Sequence, residues 1–236
     1  MKVVNRYYQD KDQFHVAVDC IIFGFKDNEL CLLIVKRGFE PCKGKWSLAG
    51  GFLKKSESLW ESVQRVLEEL TGLTDLFMEQ VGTFGDMNRD PGERVVSTAY
   101  YALINLEDYN QHLVKKYHTH WVNINRLPQL IFDHGQMIKA ALEKLQQKVA
   151  IQPIGFNLLP EKFTLTQLQR LYEVIFQRKF DNRNFRKKFL SLSFIEKLFE
   201  KDKTSSKRGA FYYTFNKEKY EKAVTSSLSF AIGQLK

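Results

Sequence analysis

The segment that most restricts the possible folds runs from Gly50 to Leu73 and reads GGFLKKSESLWESVQRVLEELTGL. Two glycines open a turn, after which apolar residues recur at intervals of three and four, as on one buried face of an α-helix. Gly72 then stands where a helix commonly ends. A glycine turn leading into a glutamate-bearing helix is typical of sites where metal ions and phosphates meet. The predicted buried face consists of Leu59, Trp60, Val63, Val66, Leu67 and Leu70.

Strand-like runs surround this segment in the first 150 residues. Phe14 to Phe25 and Leu30 to Arg37 are rich in β-branched and aromatic residues, and the KDNE turn between them predicts a hairpin. Asp133 is a possible cap for a second helix that carries apolar residues at helical spacing. Mixed strands with helices on both sides predict an α/β/α sandwich with a mixed sheet. Further strands are expected at 77–85, 94–106 and 118–124.

The charge is distributed unevenly along the chain. Residues 151–236 contain 17 Lys or Arg and 8 Asp or Glu, so the whole formal excess of +9 lies in this part. Such asymmetry favours a basic, polyanion-binding module attached to a neutral domain, although a merely solvated basic surface is the alternative. Two prolines and a glycine between the parts indicate an anchored linker. We therefore expect a sensing domain at 1–150, a linker at 151–163 and a DNA-binding domain at 164–236.

The C-terminal part has the pattern of a winged helix-turn-helix. Thr164 with Gln167 forms a capping-box pattern before one amphipathic helix, and Asp181 is a cap candidate for the next. Phe185 and Phe189 must face inward in this second helix, which leaves a basic outer face that suits a DNA major groove. Two strands near 194–200 and 210–215 then resemble a wing. The predicted DNA-binding residues are Arg183, Asn184, Arg186, Lys187, Lys188, Lys203, Lys207 and Arg208.

Other classes of protein are disfavoured by the sequence. Cys20, Cys31 and Cys42 form no CxxC pair, so we expect reduced thiols. His118 and His120 lack a third zinc ligand, and we expect no metal and no cofactor. The N-terminus is polar, and no run approaches the roughly 18 apolar residues of a membrane helix. We therefore expect a cytoplasmic protein without membrane contact.

The segment from Gly51 to Leu73 resembles the Nudix box, in which a glycine, a glutamate and an Arg-Glu-aliphatic-any-Glu-Glu-any-Gly run follow at fixed spacing. Glu57, Arg65 and Glu69 match this pattern. The TFGDMNRDPGERVVSTAYYALI run and the FDH before the last helix of the domain look like later parts of Nudix domains related to ADP-ribose pyrophosphatases. In that family three glutamates on one helix face bind divalent cations. Two of the three positions are Val66 and Leu70 here, so we expect hydrolysis to be lost.

A degenerate Nudix domain followed by a winged helix resembles the Nudix-related transcriptional regulators. The resemblance implies homodimers that bind palindromic operators on double-stranded DNA and sense a small molecule in the former Nudix site. One branch of that family responds to ADP-ribose and others to pentoses such as arabinose or xylose. The DCIIFGF and RDPGERVVS runs and the loss of metal ligands look closer to the sugar branch.

The former Nudix site supplies candidate effector contacts. Asp19 interrupts an apolar strand, where an unpaired carboxylate would be costly. We expect it either to accept hydrogen bonds from the hydroxyls of a sugar or to form a salt bridge with a neighbour such as Arg37. Arg89 and Arg94 would suit a phosphorylated or ADP-ribosyl ligand. The predicted effector-binding residues are Asp19, Arg37, Lys45, Trp46, Glu69 and Arg89.

Two other functions remain open. One is residual hydrolysis of ADP-ribose or another nucleoside diphosphate derivative. The other is RNA binding, which single-stranded RNA outcompeting duplex DNA would indicate.

Overall fold

The computed structural model describes residues 10–74, 76–106, 118–203 and 209–225, with the side chains of 223–225 left out. Its N-terminal part is built on a seven-stranded sheet with β1 near the centre. β1 pairs with β6 in parallel, whereas the pairings of β2 with β1 and of β5 with β6 are antiparallel, so the predicted mixed sheet is confirmed. The strands are β1 (His15–Lys26), β2 (Glu29–Lys36), β3 (Trp46–Ser47), β4 (Ala49–Phe52), β5 (Met78–Phe84), β6 (Val95–Asn105) and β7 (Thr119–Asn123).

The hairpin between β1 and β2 forms as expected. Lys26 pairs with Glu29, and Asp27 and Asn28 both have positive φ angles, of 49° and 63°. Two such residues in succession make the two-residue turn whose twist matches that of the paired strands.

Two helices cover the two faces of the sheet. Helix α1 (Leu59–Thr71) packs on one face, where Val63, Val66 and Leu67 join an apolar cluster with β1 and β2. Helix α2 (His134–Ile151) packs on the other face through residues that include Met137 and Leu145. Strand β1 is covered on both faces, and its sequence is accordingly a nearly continuous run of apolar residues. The predicted α/β/α sandwich is confirmed, although Trp60 of the expected buried helix face is 44% exposed.

The predicted linker is folded against its surroundings. A short 3-10 helix covers Pro153–Leu158, and Phe156 and Leu158 are buried in the same apolar cluster as α2. That cluster continues into the C-terminal helices without interruption. The boundaries at 150 and 164 stay predictions, since the core that the described residues build runs across them.

The C-terminal part has the elements of a winged helix. Helices α3 (Leu165–Phe176) and α4 (Asn182–Leu190) are joined by a short turn, and one strand before them and two strands after them form a three-stranded sheet with the last strand in the middle. The two caps predicted for this part form, because Thr164 and Asp181 each accept a hydrogen bond from the backbone amide three residues further on. Asn216 accepts from the Lys219 amide in the same way. The remaining elements are β8 (Phe163–Thr164), β9 (Ile195–Asp202), β10 (Ala210–Phe215) and α5 (Lys217–Thr225).

Within the described parts of the chain, no helix is both long enough and apolar enough to cross a membrane. Cys20 is buried and Cys31 and Cys42 are half-buried, and all three are free thiols. Burial raises the pKa of the Cys20 thiol, which keeps it protonated.

Candidate effector site and DNA-binding surface

The glycine turn and α1 keep the geometry of a Nudix box. Ser58 and Glu61 form a complete capping box at the start of α1, and Gly72 ends the helix with a φ of 70°. Arg65 donates to both carboxylate oxygens of Glu57, at 2.8 and 2.6 Å, and to Glu69 at 3.1 Å. These hydrogen bonds from Arg65 lower the pKa of Glu57 to about 2. The two glutamates that match the motif are thus both ion-paired with an arginine of the same motif.

The positions of the missing metal ligands are filled by apolar side chains. Val66 is buried against the glycine turn, and a Cβ atom added at Gly51 would lie 2.7 Å from its Cγ2. Leu70 packs against the apolar cluster under α1. Mg²⁺ and Mn²⁺ require hard oxygen ligands, which neither side chain offers. The residues present therefore do not fit the divalent cations of a Nudix hydrolase.

No alternative metal cluster compensates within the described ranges, where no group of three His, Cys, Asp or Glu side chains is arranged to hold an ion. The expectation of no bound metal stays a prediction.

A cleft lies between the glycine turn, β1, the loop at 85–94 and the start of α2. Asp19, Arg37 and Arg89 line it, so three of the six predicted effector residues come together. The other three lie elsewhere. Lys45 is exposed in the turn before β3, Trp46 contacts His120 edge-on with ring centres 4.9 Å apart, and Glu69 is paired with Arg65.

Asp19 forms the buried polar floor of this cleft. It is 5% exposed and accepts a 2.6 Å hydrogen bond from the Ser97 hydroxyl. Its other neighbours are His134, with Nε2 at 3.6 Å, and Arg89, with a terminal nitrogen at 4.0 Å. The structure therefore places His134 and Arg89, rather than the expected Arg37, beside this carboxylate.

The protonation state of His134 follows from the hydrogen bond at its Nδ1 atom. The backbone amide of Leu48 donates to Nδ1 at 3.1 Å, and an amide can only donate, so Nδ1 must be unprotonated. The proton of the neutral ring is then on Nε2, which faces Asp19. Burial lowers the pKa of His134 and holds it in this neutral form.

Arg89 connects the floor of the cleft to the start of α2. Its guanidinium donates two hydrogen bonds to the Asp133 carboxylate, at 2.9 and 2.6 Å, across 44 residues of sequence. Burial disfavours the charged guanidinium, but the hydrogen bonds and charge of Asp133 outweigh this effect and raise the pKa of Arg89. Asp133 stands at the N-cap position of α2 but makes no side-chain cap hydrogen bond, contrary to its predicted capping role.

The rim of the cleft is aromatic, which the sequence analysis missed. Arg37 donates from Nε to the Phe39 carbonyl oxygen and lies 4.0 Å from the centre of the Phe39 ring. Phe39 and Phe52 are 48% and 40% exposed, and Phe132 lies 5.1 Å from the same guanidinium. The dipeptides Gly38-Phe39 and Gly51-Phe52 could have indicated this rim, since a phenylalanine next to a glycine in a turn is often too far from the core to be buried. Arg94 lies outside the cleft lining and donates to the Asp86 carbonyl oxygen.

The outer face of α4 carries the predicted DNA-reading residues. Phe185 and Phe189 are fully buried and stack with ring centres 4.2 Å apart, which fixes the rotation of the helix. Lys203 is exposed just beyond β9, whereas the predicted Lys207 and Arg208 lie outside the described residues. On α4 itself, Arg183, Asn184, Arg186 and Lys187 are exposed and Lys188 is half-buried.

The turn before α4 is held by one buried carboxylate. Glu173 accepts from the Phe180 amide at 3.3 Å and from the Lys179 ammonium at 3.0 Å, while Gln177 adopts the left-handed conformation that ends α3. Desolvation raises the pKa of Glu173, but the hydrogen bond from Lys179 and its other partners outweigh it and lower the pKa below its usual value. Helix α4 is therefore positioned by charge as well as by packing.

The two parts of the chain contact each other directly. Gln146 of α2 donates to the carbonyl oxygen of Ile175 in α3 at 2.7 Å. Arg170 of α3 donates to the carbonyl oxygen of Asn28 in the β1–β2 turn at 3.2 Å. Helix α2 therefore contacts the cleft at its first turn and the helix-turn-helix near its last.

Comparison with known proteins agrees with this architecture. Residues 13–141 match the NUDIX domain, and residues 155–215 match the NrtR DNA-binding winged helix domain. The ADPR responsive transcriptional repressor NtrR of Acinetobacter baylyi is 32% identical over 210 residues, which span 87% of this chain and 84% of that protein.

Solved structures extend the comparison. The crystal structure of Shewanella oneidensis NrtR complexed with a 27mer DNA is 29% identical, with a TM-score of 0.75 over 87% of this chain and 95% of that one. The NUDIX domain of the same protein complexed with ADP ribose has a TM-score of 0.51 at 29% identity, covering 60% of this chain and 94% of that domain. The chain therefore belongs to the NrtR-type family, in which a Nudix domain precedes a DNA-binding NrtR winged helix domain.

Proposed function

We propose that the protein is a cytoplasmic transcriptional regulator that binds operator DNA through its winged helix and senses ADP-ribose in the cleft of its Nudix-like domain. The observation that carries this proposal is the content of the cleft: a buried hydroxyl acceptor, a guanidinium and exposed phenyl rings within one space. One relative is named as an ADPR responsive repressor, and another is solved both with DNA and, as its NUDIX domain, with ADP ribose.

The lining of the cleft suits the parts of ADP-ribose. Arg37 supplies a cation for the pyrophosphate, and Asp19 accepts hydrogen bonds from the ribose hydroxyls. The exposed rings of Phe39 and Phe52 supply stacking surfaces for adenine. A pentose has neither an anionic group for Arg37 nor a flat ring for the phenyl groups. The likeness to the sugar-responsive branch has no support among the relatives described above, and we propose ADP-ribose instead.

Loss of hydrolysis is part of the proposal. Val66 and Leu70 stand in place of two carboxylates, and Arg65 holds the two that remain in the motif in ion pairs. A test incubates the protein with ADP-ribose and Mg²⁺ and looks for AMP and ribose phosphate. Clear turnover would show that the chain is a hydrolase.

Helix α2 is the proposed route from effector to DNA. Arg89 and Asp133 tie its first turn to the cleft, and Gln146 ties its last turns to α3. A ligand that alters the Arg89 contacts would move α2 against the helix-turn-helix. To shift the population, such a ligand must bind the protein more tightly in one of these two positions of α2 than in the other. In a homodimer on a palindromic operator, this movement would change the separation of half-sites that lie about 34 Å apart.

Thermal shift and gel shift together test the proposal. ADP-ribose should raise the melting temperature and change the affinity for DNA, whereas arabinose and xylose should do neither. Arg37→Ala should weaken ADP-ribose binding by roughly tenfold to a hundredfold, because it removes hydrogen bonds to a charged group. Arg126→Ala is the matched control, as Arg126 is an exposed arginine outside the cleft. A melting shift produced by a pentose and not by ADP-ribose would overturn the assigned effector.

A further inference from the structure

The wing carries one phenyl ring that is not packed against the rest of the fold. Phe199 lies in β9 and is 104% exposed, so its whole side chain is in water. The other aromatic residues of the wing are buried or half-buried, namely Phe211, Tyr212, Tyr213 and Phe215. A fully hydrated phenyl ring costs free energy that burial in a complex recovers.

The backbone around Phe199 is irregular. Lys201 pairs with Phe211 and Lys197 with Tyr213, so three residues of β9, with Phe199 in the middle, stand opposite one residue of β10. β9 is also the edge strand of its sheet. Bulges at sheet edges redirect a side chain and interrupt the pairing of the strand. This bulge places the ring of Phe199 outside the packed sheet.

The charges around Phe199 are positive. Lys197 and Lys201 lie two residues to either side, with their ammonium groups 3.6 and 4.5 Å from the centre of the Phe211 ring. Of the acidic residues of β9, Glu200 is paired with Lys162 at 2.9 Å, Glu196 is paired with Lys219 at 2.7 Å, and Asp202 is buried. Lys197 and Lys201 are both exposed beside the ring, and their charge complements a polyanion.

We propose that Phe199 enters the minor groove of the DNA duplex and packs against its sugars and base edges. Lys197 and Lys201 neutralise the phosphates that border the groove. Apolar side chains inserted between base steps in this way bend the duplex. The inference rests on the proposed function, since it requires that the winged helix binds DNA, and it assigns a residue outside the basic recognition helix.

The test uses the full chain and a duplex enriched by it from a random-sequence pool. Phe199→Ala should weaken binding to that duplex about tenfold, because part of a phenyl ring is no longer buried, and should leave the salt dependence unchanged. Lys197→Ala should instead reduce the slope of log affinity against log salt by about 1. Phe199→Leu, which keeps an apolar wedge, should retain most of the affinity.

A second measurement reports the groove. Energy transfer between dyes at the two duplex ends should show a bent complex with the parent protein and a straighter one with Phe199→Ala. Phe77→Ala is the matched control, because Phe77 is 79% exposed but lies in the Nudix-like domain, and it should change neither readout.

Three results would overturn the assignment. The first is unchanged affinity and bend with Phe199→Ala. The second is conversion of a dimer into monomers by Phe199→Ala in sedimentation, which would place the ring in a contact between copies. The third is failure of the parent protein to enrich any duplex, which would also remove the proposed function. In the first two cases DNA binding by the parent chain would still stand.

Discussion

Val66 packs its side chain against Gly51 at the position where a Nudix enzyme carries a metal ligand. Because Val66 is buried among apolar side chains, Val66→Glu takes a carboxylate out of water. We expect it to lower the free energy of unfolding by about 3 kcal/mol or more, measured by urea denaturation. Glu68→Gln, on the exposed side of the same helix, should stay within about 0.5 kcal/mol of the parent. Equal stability of Val66→Glu and the parent would mean that this position is open to water.

Arg183 and Lys203 are expected to affect DNA in different ways. Arg183 is exposed near the start of α4, where a guanidinium reads base edges, so Arg183→Ala should cost about 1–3 kcal/mol on preferred duplexes and little on others. Lys203 follows the wing strand, and Lys203→Ala should weaken all duplexes similarly and reduce the salt slope by about 1. Titrations on two sequences at several salt concentrations separate the effects. The assignment of α4 as the reading helix fails if Arg183→Ala weakens both sequences equally.

The loop before α1 is attached to the helix by the pair of Glu57 and Arg65. The folded pKa of Glu57, about 2, lies below its ordinary value, so the pair stabilises the fold fully above the unfolded pKa, about 4.3. This stability is lost as pH falls from about 4 towards 2. Urea midpoints between pH 6 and 2.5 should fall less steeply for Glu57→Gln than for the parent. Identical acid profiles for the two proteins would show that the pair contributes nothing.

The Nudix-like part and the winged helix share one apolar cluster, which includes Leu145 of α2, Phe156 of the linker and Leu171 of α3. Since burial of apolar area is the main stabilising term, neither part can unfold without exposing the other. Calorimetry should therefore show one unfolding transition for the whole chain, and ADP-ribose should raise the temperature of that single transition. Two separate transitions, with only the first shifted by ADP-ribose, would show that the parts fold independently.

The local structure follows from contacts between residues close in the chain. The turn at Asp27 and Asn28, the caps at Thr164 and Asp181 and the helix end at Gly72 all involve partners within four residues. Such signals are present in short windows of sequence, which is why the strands, the helices and the winged-helix pattern were predictable. The replacement of two Nudix metal ligands by Val66 and Leu70 was also predictable, because the segment aligns with the Nudix box without gaps.

The composition of the cleft depended on the tertiary structure. Asp19 meets Ser97 across 78 residues and Arg89 meets Asp133 across 44, and these meetings follow from the register of β1 with β6 and from the position of α2. For the same reason the structure turns Trp46 towards His120 and away from the cleft, and uses Asp133 to hold Arg89 rather than to cap its helix. The sequence by itself determined the elements and the presence of Val66 and Leu70 at two Nudix ligand positions, because these depend on neighbours along the chain. Only the packing of distant strands and helices decided which side chains share a cleft and how that cleft is joined to the DNA-binding helices.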